Sequence, residues 1–141
     1  MVFTCNHCPY ALAWHERIAA AARDYAGRVN FLAVNPNDGR RYPADSFDAM
    51  RERVEADGGW PLPYLRDEEQ GVARAYDAKT TPDVFVVDGD GRLRYRGAPD
   101  ADHRDPSLDA AWLRLAIDAV LAGDRPERPE TEPVGCSIKW K

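Results

Sequence analysis

The chain has 141 residues and a formal net charge of -5, from 19 Lys+Arg against 24 Asp+Glu. One domain of ~100–200 residues accounts for that length. The acidic balance excludes a general electrostatic grip on nucleic acid or anionic membrane, and no apolar run approaches the ~18 residues of a membrane span.

From the N-terminus, Cys8 to Ala26 reads as a helix, because Cys8, Leu12, His15, Ile18, Ala22 and Tyr25 recur at three and four residues. Pro9 is tolerated in the first turn and Gly27 supplies a stop. Val29–Val34 reads as a buried strand and Asn35–Ala44 as a loop. Asp45 or Ser46 caps a second helix running to about Asp57 and closed by Gly58-Gly59. A short extended piece, Pro63–Leu65, precedes a third helix, opened by Asp67 with Gln70 in capping-box fashion and ending near Tyr76. Thr80-Thr81-Pro82 leads into the strand Asp83–Asp88, and the turn Gly89-Asp90-Gly91 joins it to Leu93–Gly97 as a hairpin. Ala98–Pro106 is a polar loop. Ser107 caps a last helix with Leu113, Ala116, Ile117, Val120 and Leu121 on one face, ended by Gly123. The tail, 124–141, has three prolines and no periodicity, and is expected to drape over a domain formed by 1–123.

Helices between strands imply a parallel part, and the glycine-rich turn implies an antiparallel hairpin at its end. A β-α-β unit followed by a β-β-α unit is the thioredoxin-like α/β arrangement: a central mixed sheet flanked by helices.

The chemistry concentrates at Cys5-Asn6-His7-Cys8. A sulfur just beyond a helix start faces unpaired N–H groups and the positive end of the dipole, and both favour thiolate over thiol. The expectation is therefore an exposed Cys5 as the attacking thiol. Cys8, about one turn on, resolves the mixed disulfide. Asn6 and His7 tune the couple, because a protonated His7 beside Cys5 stabilises the reduced form. Half a zinc site is the competing reading. Zinc takes four ligands; Cys136 lies far along the chain, and His15 is two turns past Cys8, too distant to share a metal with it. No metal or cofactor is expected.

Thr81-Pro82 is the second landmark. In this arrangement a cis proline faces the CxxC, and the backbone of Thr81 is free to pair with a substrate chain in β fashion. An ordinary trans proline opening a strand is the alternative. Asp38, just past a strand end, is a candidate acceptor for the Cys8 proton or a solvated loop residue. Tyr10 and Trp14 either rim the site or fill the groove beside the helix. Cys136 has two readings: an extra redox partner if the tail folds back over the site, or a small buried anchor beside Ile138 and Trp140.

These residues resemble thioredoxin-like redoxins related to the AhpC/TSA proteins, in particular a bacterial subgroup. The likeness is carried by Phe3-Thr4-Cys5-Asn6-His7-Cys8-Pro9-Tyr10, Tyr42-Pro43, Asp45-Ser46, Pro63-Tyr64-Leu65, Asp67-Glu68, Thr81-Pro82-Asp83, Tyr95-Arg96-Gly97 and the closing Gly135-Cys136-Ser137-Ile138-Lys139-Trp140-Lys141. It spans essentially the whole chain. The resemblance implies a thiol–disulfide oxidoreductase of antioxidant type. It would act on protein or small-molecule disulfides and thiols, with a separate reducing or oxidising partner. Two rival functions stand beside it. A peroxidase of the AhpC/TSA type wants Pro-x-x-x-Thr/Ser-x-x-Cys, whereas here Thr4 and Cys5 are adjacent and the upstream proline is missing. A redox-inert metal-binding or copper-chaperone module wants CxxxC and a distal histidine.

The chain departs from such relatives in three ways. Thr80 stands where a cysteine is common, the loop after Gly97 is shorter, and only Met1–Thr4 precede Cys5. A strand of ~5–6 residues belongs at that last point, so the expectation is a first strand cut short and a sheet correspondingly weakened. The four residues also leave no room for a signal peptide, and the sequence as it stands reads as cytoplasmic.

Overall fold

The computed structural model describes residues 1–141. Its main sheet runs in the order β3-β2-β1-β5-β6. The strands are β1 (Val2–Phe3), β2 (Ala33–Asn35), β3 (Tyr64–Arg66), β5 (Asp83–Val87) and β6 (Leu93–Gly97). β1 pairs parallel with β2, β2 parallel with β3, and β5 antiparallel with both β1 and β6. The helices are α1 (Pro9–Asp24), α2 (Phe47–Ala56), α3 (Gly71–Ala75) and α4 (Ala111–Leu121). This is the thioredoxin-like architecture expected from the sequence. No helix is long and apolar enough to cross a membrane.

Side chains alternate across the sheet and so build two cores. On one face Val2, Ala33, Val84, Val86 and Tyr95 meet Trp14, Ile18, Ala22 and Tyr25 of α1 and its C-terminal cap, together with Leu113, Ala116 and Ile117 of α4. On the other face Phe3, Val34 and Phe85 meet Ala73, Ala78 and Ile138. Phe3, Tyr76 and Phe85 pack edge to face there. Trp14, Tyr95, Phe3 and Phe85 are almost wholly buried, and each such burial stabilises by roughly 1.5–3 kcal/mol. α1 is thereby fixed against the sheet, and the cysteine segment that precedes it is fixed with it.

A second, two-stranded ribbon matters more for the site. β4 (Thr80–Thr81) pairs antiparallel with β7 (Cys136–Ser137), in the register Thr81 with Cys136. The tail is tied along its length. Thr131 N–H donates to the Arg96 carbonyl, and its Oγ1 accepts from Ala98 N–H. Lys139 N–H donates to Asn37 Oδ1, and the Lys139 carbonyl accepts from Asp38 N–H and Gln70 Nε2. Gly135 makes the ribbon possible: a Cβ there would lie 2.3 Å from the Thr81 carbonyl oxygen, inside any contact distance.

Several element boundaries differ from the sequence reading. β2 begins at Ala33 rather than Val29, because β1 offers only Val2 and Phe3 to pair with; Val29 and Phe31 instead pack half-buried against the core. Ser107 does not cap α4. Its hydroxyl donates to Asp105, and the chain enters α4 through Ala110 in the left-handed conformation, its N–H held by Asp100 Oδ2. Asp67 and Gln70 form no reciprocal box. Asp67 Oδ2 accepts from Ala73 N–H, while the Gln70 amide reaches the Pro36 and Lys139 carbonyls.

Candidate functional site

Cys8 is the N-cap of α1, with Pro9 at the first helical position. Cys5 lies in the preceding segment, which β1 carries to the same end of the sheet as β5. The Thr81–Pro82 peptide bond is cis, and Thr81 touches both sulfurs. Its Oγ1 is 3.2 Å from Cys5 Sγ, and its carbonyl oxygen accepts from Cys8 Sγ at 3.0 Å. Both cysteines are free thiols.

The exposed Cys5 expected from the sequence is not found. Cys5 and Cys8 are each 0% exposed, because Thr81 and the returning tail roof the helix start. Cys136, partly exposed, packs against the two with Tyr10 beside it. The docking expectation for Thr81 changes with it: its β edge is already occupied by Cys136 of the same chain.

Charge is divided unequally between the two buried sulfurs. Cys8 is pulled well below the usual thiol range. The Cys5 side chain is its main hydrogen-bond partner, outweighing the penalty of burial, and the Cys136 thiol and the Ala11 and Cys136 N–H groups add to the effect. Cys5 is pushed up, first by that same hydrogen bond to Cys8, then by burial and by the Asp45 carboxylate. The same hydrogen bond thus lowers the Cys8 thiol and raises that of Cys5, opposite in direction to the tuning expected from the sequence, while the Cys8 S–H donates to the Thr81 carbonyl. The Cys5 side chain is the first cause at Cys8, and its place at the helix N-cap acts in the same direction. At Cys5 the hydrogen bond to Cys8 and burial come first, and the buried Asp45 carboxylate adds to them.

Asp45 is the residue the sequence reading missed. It ends a 3-10 turn, Pro43–Asp45, and is fully buried. Its Oδ1 accepts from Asn6 N–H at 2.6 Å and from Asn35 Nδ2 at 3.2 Å; its Oδ2 accepts from Asn37 Nδ2 at 2.9 Å. His7 Nδ1 lies 2.5 Å from the same Oδ2, close but off a hydrogen-bond direction, and the imidazole stacks on Tyr42. Asn6 is tied further, its Oδ1 accepting from Tyr64 and Arg53 and its Nδ2 donating to the Ala44 carbonyl. Thus the two residues between the cysteines are anchored to Asp45, α2 and β3.

The structure places Asp38 elsewhere. Its Oδ1 accepts from the Arg40 and Arg41 N–H groups and closes a loop turn. Trp14 fills the core and donates from Nε1 to Asp100. His15 packs at a tilt against Trp60. A metal-capable trio does occur, since donor atoms of Cys5, His7 and Asp45 all lie within 4.8 Å of one another. Both Asp45 oxygens already serve Asn6, Asn35 and Asn37, so a cation would have to dismantle that network.

Asp83, next to the cis proline, is buried, with Oδ2 accepting from Lys79 N–H and Oδ1 unpartnered. Burial pushes its carboxyl up to about 6. The folded state thus holds this proton more tightly than an unfolded chain, whose Asp titrates near ~3.9. The stability so contributed is present below about pH 4 and is lost as pH rises through about 6. At ~1.4 kcal/mol per pH unit the loss is about 2–3 kcal/mol. Urea unfolding from pH 4 to 8 checks this: the stability difference between Asp83→Asn and the parent is expected to move in favour of the variant across that window. A difference that stays flat with pH would contradict it.

The AhpC/TSA family profile matches residues 1–96. No curated protein sequence matches the chain. Among solved structures, an uncharacterized conserved protein from Geobacillus kaustophilus is 40% identical and superposes with a TM-score of 0.92, over 99% of this chain and 75% of that one. A hypothetical protein from Sinorhizobium meliloti is 38% identical, with a TM-score of 0.91, over 99% of this chain and 78% of that one.

Proposed function

Because the chain belongs to the AhpC/TSA family, whose chemistry is thiol-based and thioredoxin-like, we propose that it is a thiol–disulfide oxidoreductase whose working pair is Cys5 and Cys8. The observation that carries this reading is the pair of buried cysteines packed together at a helix start, each sulfur touching Thr81.

The cycle assigns the attack to Cys8, the more acidic of the two thiols, once it has lost the proton it donates to the Thr81 carbonyl. The Cys8 thiolate attacks one sulfur of a substrate disulfide. That S–S bond breaks, a Cys8–substrate disulfide forms, and one substrate thiolate leaves. Cys5 then attacks the Cys8 sulfur, releasing the second substrate thiol and leaving a Cys5–Cys8 disulfide. Two electrons have passed to the substrate, and an external dithiol restores the pair. Cys5 must lose its proton in the second step. Asp45, within 4.8 Å of its sulfur, is the acceptor; the sequence had suggested Asp38, and for the Cys8 proton. His7, touching Asp45 and one-third exposed, leads from that carboxylate to solvent. The substrate lies against Thr81 and Pro82 once the tail yields the β edge.

Reduction of a protein disulfide with a dithiol as donor tests the reading. The parent chain is expected to turn over, the Cys5→Ser/Cys8→Ser double variant is not, and peroxide consumption is expected to be slower than disulfide exchange. Peroxide turnover that outpaces exchange would assign the peroxidase function instead. Stoichiometric zinc that protects both thiols from alkylation would assign a metal-binding one.

A further inference from the structure

The C-terminal ribbon does something a passive tail need not do. It fills the β edge of Thr81, the backbone position best placed to receive an incoming chain, and the residue it sets opposite Thr81 is a cysteine. That residue packs against the cluster of Cys5, Cys8 and Ala11. The approach is built in, since Gly135 is the residue without which the tail could not pass the Thr81 carbonyl. The bonds from Ile138 N–H to the Lys79 carbonyl and from Lys139 N–H to Asn37 hold the strand beyond it. Cys8 therefore shares one cluster with two other cysteines: Cys5, wholly buried like Cys8, and Cys136, the partly exposed one of the three.

We propose that Cys136 is an intramolecular exchange partner that carries the disulfide from the buried pair to the surface. The inference rests on the thiol–disulfide reading above. Once Cys5 and Cys8 are oxidised, the Cys136 sulfur attacks the Cys8 sulfur. The Cys5–Cys8 bond breaks, a Cys8–Cys136 bond forms, and the Cys136 proton passes to the departing Cys5 sulfur. No electrons enter or leave in this step: one disulfide and one thiol become another disulfide and another thiol. Burial is the chief cause that pushes the Cys136 thiol up, to about 11, and contact with a charged Cys8 adds to it; oxidation of Cys8 removes the second contribution. An external dithiol then attacks the partly exposed Cys136 sulfur and frees the Cys8 thiolate; its second thiol displaces Cys136, and the dithiol leaves as a disulfide carrying the two electrons' worth of oxidation. The benefit is access. A Cys5–Cys8 disulfide lies wholly inside the protein, whereas a Cys8–Cys136 disulfide has one sulfur at the surface. In β-pairing terms the tail is a tethered disulfide substrate.

Two variants separate this proposal from the function it rests on. Cys5→Ser keeps Cys8 and Cys136. After equilibration with oxidised and reduced glutathione, both its thiols are expected to become unreactive to an alkylating agent, and peptide mapping is expected to join Cys8 to Cys136. Adding Gly135→Val, whose side chain collides with the Thr81 carbonyl, is expected to abolish that bond. Where Cys5→Ser fails to fold by circular dichroism, Cys5→Ala replaces it. Two alkylatable thiols, or glutathione adducts without an internal bond, would overturn the relay. Cys136→Ser reports on the other claim: if it still forms Cys5–Cys8 while Cys5→Ser forms nothing, only the relay fails. If Cys136→Ser forms no Cys5–Cys8 bond, the parent reading fails.

Discussion

With Cys136 replaced by serine to silence the tail, a chain retaining only Cys8 is expected to react with a small aromatic disulfide about 10–100-fold faster near pH 6.5 than one retaining only Cys5. The reason is local. Cys8 sits at the N-cap of α1, at the positive end of the helix dipole, and the Cys5→Ser replacement keeps a hydrogen-bond donor beside it. Cys5 has the buried Asp45 carboxylate as its neighbour, which opposes a second negative charge. Thiolate fraction governs attack rate, tempered by the lower intrinsic nucleophilicity of an acidic thiol. That tempering is why the expected ratio is smaller than the separation of the two thiols alone would suggest. Stopped-flow kinetics across pH 5–9 reads it directly. Equal rates, or a faster Cys5, would return the attacking role to Cys5. In the three-cysteine chain, Cys8→Ser is expected to lower protein-disulfide turnover by on the order of 10³-fold, as loss of a nucleophile does when the remaining groups act as a unit.

Asp45→Ala is expected to be the most destabilising change at the site. The carboxylate is fully buried and accepts from Asn6, Asn35 and Asn37, with His7 against its second oxygen. Truncation leaves Asn6 N–H and Asn37 Nδ2 without that partner, while Asn35 Nδ2 keeps only its bond to the Tyr64 hydroxyl. Each unsatisfied buried group costs about 1–3 kcal/mol, though relaxation recovers part of it, so a net loss of about 3–5 kcal/mol is expected in urea unfolding. Asp45→Asn, which keeps one acceptor oxygen, should cost less while still removing the charge beside Cys5. It therefore separates two roles: with the fold retained, the Cys5 thiol should titrate at lower pH than in the parent. A Cys5 that titrates as before would show that burial alone raises it.

The thioredoxin-like architecture was legible because its signals are local. Asp83–Asp88, the Gly89-Asp90-Gly91 turn and the spacing from Cys8 to Tyr25 each lie within one element. Cys5-Asn6-His7-Cys8 and Thr81-Pro82 were legible as motifs. What was not legible depends on contacts between distant parts of the chain. Asp45 looked like a helix cap, but Ser46 performs that task by accepting from Ala49 N–H, which frees Asp45 to turn inward. The burial of Cys5 depends on Thr81 and on a tail that carries no periodic signal, so no local pattern around Cys5 could announce it. Between the two readings open for Cys136, an anchor and a redox partner, the β pairing to Thr81 and the packing against the cluster of Cys5 and Cys8 favour the second. The hint was present in sequence as a cysteine directly after Gly135, a residue whose missing side chain permits close approach.

A reversible bond between Cys5 and Cys8 is the central requirement of the proposed activity. The most direct measurement equilibrates the Cys136→Ser chain over a range of glutathione ratios, quenches with acid and counts alkylatable thiols. The expected result is one reversible transition of both thiols together, following a two-electron dependence of ~30 mV per decade, with the internal disulfide recovered by peptide mapping. Two thiols that remain alkylatable at every ratio, or that take up glutathione separately, would contradict it.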